Sequence, residues 1–141
     1  MPFRFFVSFG MLKKFRLETV IPASPTEVYK AWLNSESHAA MTGGSPAIIN
    51  DEVGKPFAAH NAYLWGKNLV LEPHSKIIQS WRTTGFKSTD EDSEIEINFE
   101  NHEKGTLLTL THSKVPEQEA HVEQGWVTHY FEPMIAYFGD K

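Results

Sequence analysis

The sequence predicts an α+β fold: a curved antiparallel sheet of six to seven strands closed by one long C-terminal helix, with two short helices after the first strand. Three observations carry this. Apolar and polar residues alternate over several short runs between Leu12 and Ser113, separated by turn residues. A helix start interrupts them after the first run, and an aromatic stripe at helical spacing occupies residues Pro116 to Phe138.

The first run is Leu12 to Ile21. Phe15, Leu17 and Thr19 fall on one face, and Arg16, Glu18 and Val20 on the other. Ser24-Pro25-Thr26-Glu27 then supplies an N-cap, a proline suited to the first helical turn and a glutamate able to complete a capping box. The helix that follows is expected to end near Asn34 or Ser35. A second helical turn is expected over Glu36 to Met41, broken by Thr42-Gly43-Gly44-Ser45-Pro46.

Six further runs read as strands: Ala47 to Asn50, Phe57 to Tyr63, Asn68 to Glu72, Lys76 to Thr83, Ser93 to Asn101 and Thr106 to Ser113. Gly54-Lys55-Pro56, Trp65-Gly66, Pro73-His74, the acidic Asp90-Glu91-Asp92 and Lys104-Gly105 separate them, and connections this short imply an antiparallel meander. Ile95, Ile97 and Phe99 share a face, as do Leu108, Leu110 and His112, and these faces are placed inward. In the last helix Val122, Trp126, Tyr130, Met134 and Tyr137 recur at steps of three and four. Pro133 is expected to kink it.

At 141 residues the chain has the size of one domain, assigned to residues 11–141. Residues 1–10 are read as an extension ahead of it, either a disordered tail or the product of an upstream start. They make a poor signal peptide, because their apolar stretch is short and interrupted. Phe3, Phe5, Phe6 and Phe9 could form an apolar patch, which leaves monomer and homodimer both open. A net charge of -5 without a basic cluster disfavours nucleic acid and anionic membranes. The chain has no cysteine, which excludes disulfides, thiolate metal sites and cysteine nucleophiles, and fits a reducing cytoplasm.

Four strings occur in a telling order: IPASPTEVY at Ile21 to Tyr29, LEPHSKIIQSWR at Leu71 to Arg82, GTLLTLT at Gly105 to Thr111, and Gln124-Gly125-Trp126 followed by Tyr130-Phe131-Glu132. Together they resemble the C-terminal domain of the activator of Hsp90 ATPase homologue family, within the START-like, Bet v 1-like (SRPBCC) superfamily, from about Leu12 to Phe138. The resemblance implies a helix-grip fold, in which the sheet wraps around the last helix and leaves a pocket between them. It also implies binding of a small apolar or amphipathic ligand. The eukaryotic co-chaperone of that family has an additional N-terminal domain that this stretch does not encode. A role at an Hsp90-type chaperone in stress response, or as a protein-interaction module, is therefore kept as an alternative, as is an enzyme acting on a small apolar substrate in the same cavity.

The residues expected to face that pocket are Phe57, Trp65, Trp81, Phe99, Leu110, His112, Trp126, Tyr130 and Met134. His112 and Tyr130 are the polar members, and whether they face each other across the cavity is left open. For each of the nine, simple core packing is the competing explanation. No cofactor, metal or catalytic residue is assigned. His121 and His129 share a helix face, but no His-Glu-x-x-His string accompanies them, and no nucleophile elbow or phosphate loop is present.

Overall fold

The computed structural model describes residues 12–139. The extension and the aromatic patch expected within residues 1–10 lie outside them. Six antiparallel strands form one curved sheet: β1 (Lys13–Ile21), β2 (Pro56–Ala59), β3 (Leu64–Glu72), β4 (Lys76–Thr83), β5 (Ser93–His102) and β6 (Gly105–Val115), in the order β1-β6-β5-β4-β3-β2. Two short helices, α1 (Pro25–Trp32) and α2 (Ser35–Met41), follow β1. The C-terminal helical stretch packs with them on the sheet face that carries Ile77, Ile95, Ile97, Leu108 and Leu110, and one apolar core joins them.

The local signals act as physical chemistry requires. The Ser24 hydroxyl accepts from the Glu27 amide and Glu27 returns to the Ser24 amide, completing the capping box, with Pro25 in the first turn. Asn34 caps α2 through the Ser37 amide. In β5 the pattern is strict: Ile95, Ile97 and Phe99 are buried, and register places them opposite His112, Leu110 and Leu108 of β6. Arg82 staples the β4–β5 connection, donating to Asp92 at 2.7 Å and to the Asp90 and Lys87 carbonyls.

Four expectations need correction. Ala47 to Asn50 contributes one isolated bridge, Ile48 to Ala58, so the sheet has six strands among the described residues. The run expected over Phe57 to Tyr63 stops at Ala59, because His60, Asn61 and Ala62 adopt left-handed backbone with φ of 51°, 57° and 66°. Trp65-Gly66 is not a turn but lies within β3. Glycine is required there by close approach: a Cβ on Gly66 would sit 1.8 Å from the Ser80 carbonyl oxygen.

The last helix is not one continuous α-helix. A 3-10 turn (Glu117–Glu119) leads into α3 (Val122–Trp126), a π-helical turn (Val127–Phe131) and α4 (Glu132–Gly139). Two features of the sequence account for the wide turn. Pro133 has no amide for the His129 carbonyl and its ring crowds that oxygen. In addition, Val122, Trp126, Tyr130, Met134 and Phe138 are all buried, a strict period of four. An α-helix advances about 100° per residue, so each such step drifts about 40°, and four steps about 160°. One wider turn takes up part of that drift and keeps both ends of the stripe on the core.

Replacing Gly66 by Ala is expected to destabilise the protein by more than about 2 kcal/mol in urea unfolding. Gly125 lies in α3, with nothing nearer its Cβ position than a His129 carbon at 3.9 Å. Gly125→Ala is expected to be neutral or to stabilise by up to about 1 kcal/mol.

Candidate functional site

The helical turns place Trp126 and Tyr130 one above the other, with ring centroids 4.6 Å apart. Trp32, the last residue of α1, stacks on Tyr130 at 5.0 Å and 23°. From β4, Trp81 meets Trp126 at 5.6 Å and His112 edge-on at 4.6 Å. One column of rings therefore ties α1, the last helix and the middle of the sheet together.

Two buried histidines complete it, and their hydrogen bonds fix their tautomers. The Trp32 carbonyl, left open at the end of α1, can only accept, so His38 donates to it from Nδ1 at 2.8 Å. Its Nε2 is then the acceptor for the Tyr130 hydroxyl at 2.9 Å. His112 is the mirror case. Trp126 Nε1 donates to His112 Nδ1 at 3.0 Å, while the Ser93 hydroxyl donates to the Trp81 carbonyl at 2.5 Å and accepts from His112 Nε2 at 2.9 Å. Burial drives the His38 pKa down to about 4, against the Trp32 carbonyl, which favours the cation. Burial alone takes His112 down to about 3, and it raises Tyr130 above the ordinary phenol value.

Beside this column is a cavity of about 550 Å³. Its buried floor is Leu64, Trp81, Val122, Trp126 and Tyr130, with Gly125 on the helix side. The rim is formed by His60, Tyr63, His121, Gln124, Thr128 and His129. Glu119, buried in the 3-10 turn, accepts from the Thr83 hydroxyl at the end of β4. Its other oxygen lies 3.9 Å from His121 Nε2, and the Tyr63 hydroxyl reaches the same nitrogen at 3.4 Å. The turn is thus anchored so that His121 stands at the mouth.

Of the nine residues expected at the pocket, Trp81, Trp126 and Tyr130 line the cavity. Phe57, Phe99, Leu110, His112 and Met134 are buried in the core beyond it; Phe99, for example, packs edge-on against Tyr29 at 5.6 Å. Trp65 points from the opposite face of β3 and is 38% exposed, because the position expected to be a turn is strand and its alternation directs Leu64 inward instead. His112 does not face Tyr130; it bonds Trp126, and Tyr130 bonds His38. The sequence reading missed His38, His60, Tyr63 and Glu119.

The site offers aromatic stacking surface and neutral hydrogen-bonding groups. The Tyr130–His38 pair is buried and polar, but His38 titrates well below neutrality and Tyr130 well above it. At neutral pH His38 is therefore held neutral and Tyr130 un-ionised. Among the described residues, no cluster of three or more His, Cys, Asp or Glu could hold a metal ion, and no helix is long and apolar enough to cross a membrane.

The two depressed imidazoles set an acid limit on stability. Each takes up a proton more readily unfolded, near pH 6.5, than folded, near 4 for His38 and 3 for His112. The stabilisation is complete above pH 6.5 and is lost as pH falls from there toward the folded values. The unfolding free energy measured in urea is expected to fall steadily from pH 6.5 to pH 4, by several kcal/mol in total; a flat profile would contradict the assigned burial.

Comparison with known proteins agrees with this architecture. The model of the activator of Hsp90 ATPase homolog 1-like family matches residues 22–139. The chain is 29% identical over 116 residues to the activator of 90 kDa heat shock protein ATPase homolog of Dictyostelium discoideum, covering 81% of this chain and 30% of that one. It is 30% identical over 118 residues to an uncharacterised protein of Schizosaccharomyces pombe, covering 83% and 34% respectively. The chain thus spans about a third of the length of these curated relatives. Among solved structures, an HSP90 activator from Plasmodium falciparum superposes with a TM-score of 0.80 at 19% identity, covering 89% of this chain and 96% of that one. The Aha1 dimer from Colwellia psychrerythraea gives 0.74 at 18% identity, with the same coverages. With the family model spanning α1, α2, five of the six described strands and the last helix, the chain belongs to the activator of Hsp90 ATPase homolog 1-like family.

Proposed function

We propose that the protein binds a small apolar or amphipathic molecule in the cavity between the last helix and the sheet. The observation that carries this is the cavity itself, about 550 Å³ over a floor of aromatic and aliphatic side chains, in a protein whose remaining interior is one packed core. Small-molecule sites typically measure about 300–1,000 Å³ and combine apolar walls with a few polar groups. Native mass spectrometry of freshly purified protein is expected to show a co-purifying small molecule, or a thermal-shift screen of apolar compounds to return a stabiliser. Filling the cavity from the helix side with Gly125→Phe is expected to weaken that binding more than about tenfold. The variant should remain folded, since the new ring enters open space; undiminished binding would count against the cavity as the site.

A second reading, action on an Hsp90-type chaperone, is favoured by the names of the relatives in Dictyostelium discoideum and Plasmodium falciparum. It is an inference from kinship, and the chain spans only 30% of the first of these. Adding purified protein to an Hsp90 ATPase assay is expected to raise the rate if this reading holds. An unchanged rate at saturating protein would remove direct stimulation.

A further inference from the structure

We propose that the cavity takes an uncharged apolar molecule bearing a hydroxyl group, and that this hydroxyl bonds to Nε2 of His60. The proposal rests on the ligand-binding reading above and specifies its chemistry.

Among the described residues, no Lys, Arg, Asp or Glu lines the cavity. A carboxylate, phosphate or ammonium brought over the Trp81–Trp126 floor would lose water without gaining a fixed counter-charge. The polar groups at the rim are hydroxyls, an amide and imidazoles, which pair with neutral partners. His60 itself is held toward the uncharged form by burial and by His129 facing it.

Nε2 of His60 is buried with no hydrogen-bond partner, the sole such side-chain nitrogen or oxygen among the described residues. An orphan of this kind requires an explanation. The neighbouring Tyr130 hydroxyl is already engaged: Tyr130, against whose ring His60 packs at 5.0 Å, donates to His38. His60 also opens the run of three left-handed residues, and strained backbone of this sort gathers at ligand clamps. A guest turns the imidazole about its Cβ–Cγ bond toward the cavity that it lines. A hydroxyl both donates and accepts, so it satisfies Nε2 whichever ring nitrogen carries the proton. The flat faces of Trp81 and Trp126 suit a ring-shaped body.

Three probes of one shape test this on the whole chain at neutral pH: 2-naphthol, 2-methylnaphthalene and 2-naphthoate, titrated by calorimetry. Naphthol is expected to bind about tenfold tighter than methylnaphthalene, with naphthoate weakest. His60→Phe is expected to abolish the naphthol advantage while leaving methylnaphthalene unchanged. Nitrogen-15 spectra of histidine-labelled wild-type protein give a readout independent of that variant's folding: naphthol should shift the His60 ring nitrogens and methylnaphthalene should not. Equal affinities, tightest binding by naphthoate, a preference that survives in His60→Phe, or unmoved His60 signals would each overturn the proposal while leaving the ligand-binding reading intact. Failure of all three probes to bind would remove both.

Discussion

The column of rings from Trp32 through Tyr130 and Trp126 to Trp81 and His112 is the contact on which the remaining structure depends. The five rings come from four elements, so the column orients α1, the last helix and two strands at once. Aromatic pairs in such tilted and edge-on arrangements contribute about 0.5–1.5 kcal/mol beyond their burial. The two imidazoles within it would be costly if charged or unpartnered, and they are neither. Their burial depresses their pKa values, and their hydrogen bonds to Trp32, Tyr130, Trp126 and Ser93 leave each in one tautomer.

That column also explains where empty space can persist. Beyond Tyr130 the last helix is seated in the core by Met134 and Phe138. Before it, α3 is held at its start by Val122 and by the Glu119 anchor to Thr83, and between these points Gly125 presents no side chain. On the Gly125 side the helix therefore leaves a gap beside Trp126 and Trp81. The loop at His60 to Tyr63 edges the gap, itself held by the Asn61 amide on the Pro46 carbonyl.

Much of the fold was legible because it follows from local rules. The Ser24 capping box, the alternation of Glu94 to Glu100 and the limits of β4 depend on spacing and turn chemistry alone. The site was less legible, because its decisive features arise between distant residues. Trp65 was misplaced since Gly66 reads as a turn when its contact with Ser80 is unseen. Nothing within the sequence near Ala59 announces three left-handed residues without glycine. His38 and Tyr130 are 92 residues apart, and a histidine among Ser, Glu and Ala gives no hint that it will be buried. His112 was correctly placed inward by strand period, yet period says nothing about which partner it meets.

The π-helical turn at Val127–Phe131 has a consequence for how this helix can change over evolutionary time. It acts as a phase element, absorbing the mismatch between a four-residue repeat and an α-helical turn. Loss of one residue there would relax the wide turn to an ordinary α-helical one: the step from Trp126 to the Tyr130 position would become three residues, and Met134 and Phe138 would keep facing the core. Gain of a further residue has no such outlet, because it would advance everything C-terminal by about 100° more. This helix is therefore open to shortening by one residue in a way that it is not open to lengthening.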